Sequence, residues 1–328
     1  MLAIGSTTGQ RRQSPLAVCG VSLALGLVLL GSFAVDAADP RAGGSCDRFA
    51  APGAPGSGDG TFASPYHSPQ RLVNSLRRGE TGCFRRGAYE FSTLTIEKQN
   101  VSLAPFRGER VALRGSIKVL PSASDTVIRG MRLRADDIGP RVYADRVTLR
   151  GNEITNGNSE TCVLVTSYYD HSAPTGTVIA QNRIHHCGRL PATNHDHGIY
   201  LSEARGTVVR DNRITDNADR GIQLYPDAQG STITGNAIRR NGQGLVFSGD
   251  GGRSSNDNLV TGNVIADSRI GWNVYSGEQG PKATGNRLRG NCVHSSAENE
   301  RFKPNGGVQT PSRNFIAFNN VVRPPRAC

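Results

Sequence analysis

The sequence predicts an all-β solenoid of short stacked strands, and three observations carry that prediction. An asparagine recurs in one phrase at Asn152, Asn182, Asn212, Asn236, Asn263, Asn286 and Asn319. Three positions before each stands Leu149, Ile179, Val209, Ile233, Val260, Ala283 or Ile316, and two positions after each stands Ile154, Ile184, Ile214, Ile238, Ile265, Leu288 or Val321. Ile128, Met131 and Leu133 read as an earlier copy without the amide. Repeats of this period mean stacked supersecondary units. The second observation is a glycine-led alternating run, at Gly198–Ser202, Gly221–Tyr225, Gly244–Ser248 and Gly271–Tyr275, bounded by Gly, Asn, Asp or Ser as strands are. The third is that helical spacing of apolar residues is absent between the copies.

Each repeat then holds two or three strands of about five residues, near the usual strand length. One such strand cannot bury its apolar face alone, but stacked coils share a continuous core. At a sharp turn, an asparagine amide can bond both turn backbone and the asparagine of the next coil. The asparagines are therefore read as structural. The pattern resembles the single-stranded right-handed parallel β-helix repeat of the pectate-lyase-like superfamily, over about Val101 to Val322. The resemblance implies a chain that binds glycans across its coils, and many relatives are polysaccharide lyases, hydrolases or epimerases.

Residues 1–37 read as a secretory signal peptide: Arg11 and Arg12, an apolar run from Leu16 to Val35, and a small residue, Ala37, at the cut. An uncleaved anchor is the rival, because the run approaches the ~20 residues of a membrane span. Secretion to the extracellular space, with no membrane attachment after cleavage, is the expectation. Residues 38–100 form an amino-terminal segment. Within it, Ala51 to Gly60 is a loop rich in Gly, Pro and Ala, and a short capping helix runs from Ser68-Pro69 to Gly79. Leu72, Val73 and Leu76 of that helix are placed to cover the open end of the coil stack. Residues 101–322 form the β-helix and 323–328 a tail. Without Cys19, six cysteines remain, an even number that in an exported chain favours disulfides. Connectivity stays open in the sequence; the expected pairing is Cys46–Cys83, Cys162–Cys187 and Cys292–Cys328.

The net charge of +11 favours anionic partners such as acidic polysaccharides. Basic residues are spread along the chain rather than clustered, and no nucleic-acid partner is expected. A monomer is expected.

The densest polar constellation is Asn194–Tyr200 with its neighbour Asp219–Tyr225. Aligning Gly198 with Gly221 stacks Asp196 on Asp219, His197 on Arg220, and Tyr200 on Gln223. An unpaired arginine inside an apolar coil is very costly, so both His197 and Arg220 are expected to reach solvent. Elimination or C5 epimerisation of a uronate needs a cation for the carboxylate, a base for the C5 proton and an acid. Arg220 suits the first role, His197 the second, and Tyr200 or Tyr225 the third, with Asp196 beside them. Asp196-His197 is loosely similar to the Asp-Pro-His of alginate epimerases, without the proline. Asp219, Gln223, His195, Tyr275 and His171 are expected to contact substrate, and Trp272 to lie in the core, aligned with Ile199, Ile222 and Leu245.

The leading reading is a lyase or C5-epimerase acting on an acidic polysaccharide. The alternatives are a noncatalytic glycan-binding or adhesion solenoid, and a glycoside hydrolase using Asp196 and Asp219 at one-coil spacing. No cofactor is predicted. Calcium lacks a clear carboxylate cluster, and a metal on His195 and His197 with His185 or His186 lacks an evident further ligand.

Overall fold

Alternating apolar residues interrupted by regular corners wind the chain into coils with three walls. The computed structural model describes residues 45–277, 284–309 and 315–328; the 1–37 leader and Ala283 lie outside them. Strand neighbours pair in parallel from coil to coil, as Val178–Ala180 with Val208–Arg210, Arg183–His185 with Arg213–Thr215, and Ile199–Arg205 with Arg220–Gln229. These three pairs exemplify the first, second and third walls. The first wall forms an eleven-stranded sheet among the described residues, and the other two join in a second sheet. Inward columns such as Leu149, Ile179, Val209, Ile233 and Val260 are fully buried, and so are Ile154, Ile184, Ile214, Ile238 and Ile265. Among the described residues, no helix is long and apolar enough to cross a membrane.

The corners explain the asparagines. Between the first and second walls, each coil places one residue at positive φ: Gly151, Gln181, Asp211, Gly235, Gly262, Gly290 and Asn319. The residue that follows is the ladder asparagine. Asn236 shows the pattern: its Nδ2 donates to the Val209 carbonyl at 2.8 Å and to Asn263 Oδ1 at 2.9 Å. Its Oδ1 accepts from the Asn212 backbone N–H and side-chain amide, both at 2.9 Å. Neighbouring coils thus satisfy each other's buried corner amides, which water cannot reach.

Two members of the repeat are corrected. The ladder continues from Asn263 through Asn291 to Asn320, not through Asn286 and Asn319. Asn319 is the positive-φ residue of its corner, with φ 52°, so its neighbour takes the rung. Asn286 follows the positive-φ Gly285 at a different corner, between the third and first walls, where it accepts from Asn258. The third corner uses the same device, with Asn217 accepting from Cys187 and Asn241 accepting from Asn217. Leu288 accordingly aligns with Val260, and Val293 with Ile265.

Coiling also starts before Val101, because Arg48–Ala50 and Thr81–Phe84 already pair in parallel as the first rungs. The helix spans Pro69–Ser75, with the Ser68 hydroxyl accepting from the Arg71 N–H. Leu72, Val73 and Leu76 are buried and join the end of the core. The chain leaves the helix at Leu76, with φ −67° and ψ 142°, so Gly79 belongs to the following turn rather than to the helix end. Cys46–Cys83, Cys162–Cys187 and Cys292–Cys328 are bonded. The first ties the two earliest strands, and the second clamps the loop that carries Asn194 to His197.

Candidate functional site

A cleft of about 420 Å³ opens on the third wall. Its floor follows from register. Tyr200 stacks on Gln223, Gln223 on Val246, and Val246 on Tyr275. Each lies between two inward residues, such as Ile199 and Leu201, so strand alternation turns it outward. Arg220 pairs with Gln243 on a parallel row, and the same register sets His197 one coil before Arg220. Tyr225 and Ser248 line the third row, and Asn194 and His195 form the rim. The glycine at the head of each strand is required by close coil contact. A Cβ on Gly221 would stand 2.8 Å from the Gly244 carbonyl oxygen and from Asn241 Nδ2.

His197, Arg220, Tyr200, Tyr225, Gln223, His195 and Tyr275 therefore meet in one cleft. Asn194, Gln243, Val246, Ser248 and Gly277 join them. Asn194 belongs to the constellation already read from the sequence, whereas Gln243, Val246, Ser248 and Gly277 are identified by the coil register.

His197 corrects the expectation that it reaches solvent freely. It is 2% exposed and forms part of the cleft wall, with its ring edge-on to Tyr200 at 5.2 Å. Its backbone N–H donates to the Thr161 hydroxyl at 3.0 Å, and its ring Nδ1 has no partner among the described residues. Burial, and then the Arg220 charge, hold its pKa well below the ordinary histidine value. Arg220 is partly buried, and burial lowers its pKa too. Its guanidinium donates to the Asn194 carbonyl at 3.0 Å and to the Asn194 side chain at 2.5 Å. Its Nε and the Oε1 of Gln223 lack partners among the described residues. Burial pushes the Tyr200 phenol up to about 12, so it stays protonated at neutral pH. Tyr225 donates to Asp250, and that bond raises its pKa.

Asp196 and Asp219 are elsewhere in role. Each is 2% exposed and outside the cleft lining. Asp196 accepts from Arg189 Nε at 2.7 Å and from the Thr193 hydroxyl at 3.0 Å. Burial opposes ionisation of Asp196, but these bonds hold its carboxyl below the usual range. Asp219 accepts the backbone N–H groups of His195 and Asp196 at 2.8 and 2.9 Å. Both carboxylates bind the loop that presents Asn194, His195 and His197, so the paired-carboxylate geometry for hydrolysis is not formed at the cleft. Trp272 is partly exposed and packs edge-on against Phe302 at 5.2 Å. It falls two residues short of the core column, because Val274 aligns with Leu245. His171 lies outside the cleft, beside Tyr168. Among the described residues, no group of three or more His, Cys, Asp or Glu side chains is arranged to hold a metal.

The neutral imidazole makes stability pH-dependent. On unfolding, His197 returns to water and takes up a proton near pH 6.5. The unfolded chain then binds more protons below that pH, so stability is full above about pH 6.5 and falls as pH drops. The contribution of this residue is expected to be at most about 1.4 kcal/mol per pH unit. His185 is also held low, by burial, so comparison with His197→Gln isolates the effect. Urea titrations at pH 7, 6 and 5 should show a shallower decline for the variant, and equal slopes would refute the assignment.

Among curated proteins, none matches this sequence. Solved structures share its architecture, among them the following three. A pectate lyase, Pel9A, superposes with a TM-score of 0.65 at 16% identity, covering 86% of this chain and 78% of that one. XylC in complex with xylose gives 0.55 at 10% identity, covering 76% and 69%. A rhamnogalacturonan lyase gives 0.54 at 12% identity, covering 83% and 87%. At these identities the likeness establishes the fold alone. The model of the right-handed β-helix region matches residues 119–320. With that match over more than half of its length, and with parallel three-walled coils through the described residues, this chain belongs to the right-handed β-helix family.

Proposed function

We propose that the protein acts on a uronate-containing polysaccharide, as a lyase or C5-epimerase, with the polymer lying along the third wall. One observation carries the proposal: the Arg220 guanidinium faces the cleft, and its hydrogen bonds among the described residues go only to the neutral Asn194. A partly buried cation without a bound counter-charge favours an anionic ligand group. Neutralising a uronate carboxylate there makes the C5 proton more acidic. The neutral imidazole of His197 would take that proton, and the protonated phenol of Tyr200 would supply one. In elimination, the C4–oxygen bond breaks, a C4–C5 double bond forms and the leaving oxygen receives the proton. In epimerisation, C5 is reprotonated from the opposite face and no bond of the backbone breaks. Gln223, Gln243 and Ser248 offer hydrogen bonds to sugar hydroxyls, and Tyr275 offers an apolar ring face. Support for a carbohydrate substrate also comes from the pectate lyase and rhamnogalacturonan lyase that share the fold, with the reminder that fold does not dictate activity.

A second reading rests on the depth of His197. A strongly buried imidazole with a depressed pKa is a weak base and a good hydrogen-bond acceptor, which suits glycan binding without turnover. Incubation with polygalacturonate, alginate and hyaluronate separates these readings. Ultraviolet absorbance from unsaturated uronate is expected for a lyase, and a changed proton spectrum of the polymer without absorbance for an epimerase. Binding with neither change would leave the noncatalytic reading, and absence of binding to all three would overturn the proposal.

A further inference from the structure

In the two coils before the cleft, the same wall carries an aromatic surface that the catalytic reading does not use. Tyr143 follows the inward Val142, so it faces out on this wall. Its ring meets Tyr168 edge-on at 4.8 Å, and Tyr168 meets Tyr169 at 4.6 Å. His171 closes the group, 6.0 Å from Tyr168. Tyr169 is 87% exposed and has a φ of 51°, a left-handed conformation that tyrosine rarely adopts. A large aromatic held in water in an unfavourable backbone state contributes nothing to the core. Such features mark a contact surface.

Continuity with the cleft identifies what it would contact. Arg141 pairs with Leu164, and Leu164 with Tyr200, so the patch and the cleft share one set of rungs. A polar chain also joins them along the edge. Ser167 donates to Glu203, Arg253 binds both Glu203 and Asp250, and Tyr225 donates to Asp250. The Tyr168 coil is the one directly before that of Tyr200, and from it to the far end of the cleft beside Tyr275 is four coil steps, or about 19 Å at the usual strand spacing. A ligand that fills only the cleft would not reach the tyrosines, whereas a polymer laid along the rungs would.

We propose that Tyr168 and Tyr169 form a second carbohydrate-binding site, which stacks on pyranose faces of the same polysaccharide chain just beyond the end of the cleft. Tyrosine suits this, because its ring offers flat apolar area at low entropy cost and its hydroxyl stays wet. The site makes the protein selective for long chains. The inference rests on the polysaccharide reading of the cleft, and the test keeps the two separate.

Binding of polymeric and trisaccharide forms of galacturonate, mannuronate–guluronate and hyaluronate would be measured by calorimetry for the full chain and for Tyr168→Ala/Tyr169→Ala. Because Tyr169 is exposed, the variant should fold, and circular dichroism would verify this. The expected result is about tenfold weaker binding of the polymer, near one stacking contact's worth, with trisaccharide binding unchanged. Tyr169→Trp should retain polymer affinity. Unaltered polymer affinity in the double variant, alongside weakened binding in Arg220→Gln, would overturn the second site and leave the cleft reading intact. Equal loss for polymer and trisaccharide would also overturn it, since the patch would then act on the cleft itself. If the unmodified chain binds none of the probes, the cleft reading falls and this inference with it.

Discussion

Asn236→Ala is expected to destabilise the protein by about 3–5 kcal/mol, because it strands two or three buried polar groups at about 1–3 kcal/mol each. The Val209 carbonyl loses its donor, and the Asn212 N–H loses its acceptor. Asn263 loses one of the donors to its Oδ1. No water can substitute at a corner where Asn236 is 1% exposed. Asn319→Gly supplies the control. Asn319 occupies the positive-φ position rather than the ladder, and glycine takes that conformation without penalty. Its effect should stay within about 0.5 kcal/mol. Equilibrium denaturation of both variants checks the ladder and its register together. Comparable losses at Asn319 and Asn236 would show that the seventh corner is built differently.

The second large effect concerns chemistry. His197→Gln should lower kcat by about 10²–10⁴-fold if the imidazole removes the C5 proton, while substrate binding changes much less. Glutamine keeps polar character and similar bulk in a buried place, so loss of folding is not expected to intervene. Arg220→Lys should fail to restore function, because the lysine ammonium cannot reproduce the forked contact with Asn194 while also meeting a carboxylate. Its signature is a raised KM together with reduced kcat, in contrast to the kcat effect at position 197. Single-turnover kinetics on the polymer that responds in the panel would distinguish the two. Full activity in His197→Gln would eliminate it as the base and return the phenol of Tyr200 or the noncatalytic reading to the front.

Much of this site is visible in the chain because parallel coils convert sequence spacing into spatial contact. His197 and Arg220 are one coil apart, and the aligned glycines before Ile199 and Ile222 suffice to stack them. Tyr200, Gln223 and Tyr225 follow by alternation. The same logic misplaced Trp272, because Gly271 resembles the strand-leading glycines but Asn273 occupies their position, directly before Val274. It misplaced Asn286 for a related reason. All three corners use a positive-φ residue followed by a small polar one, so a Gly-Asn pair does not say which corner it turns. Asp196 and Asp219 looked like site carboxylates, yet their partners are Arg189 and backbone N–H groups contributed by the intervening loop.

The sequence by itself determined the stacked all-β architecture and the rows that bring imidazole, guanidinium and phenols together. Periodicity is enough for these, since an apolar side chain on the wrong face of a strand exposes the core and forbids any other register. Only the tertiary structure decided how deep each polar group sits, which of them have partners, and which carboxylates hold a loop instead of facing the cleft. Burial and hydrogen-bond partnership depend on loops whose path obeys no repeat, and it is these that set the protonation state of His197 and leave the Arg220 guanidinium hydrogen-bonded to the neutral Asn194 alone among the described residues.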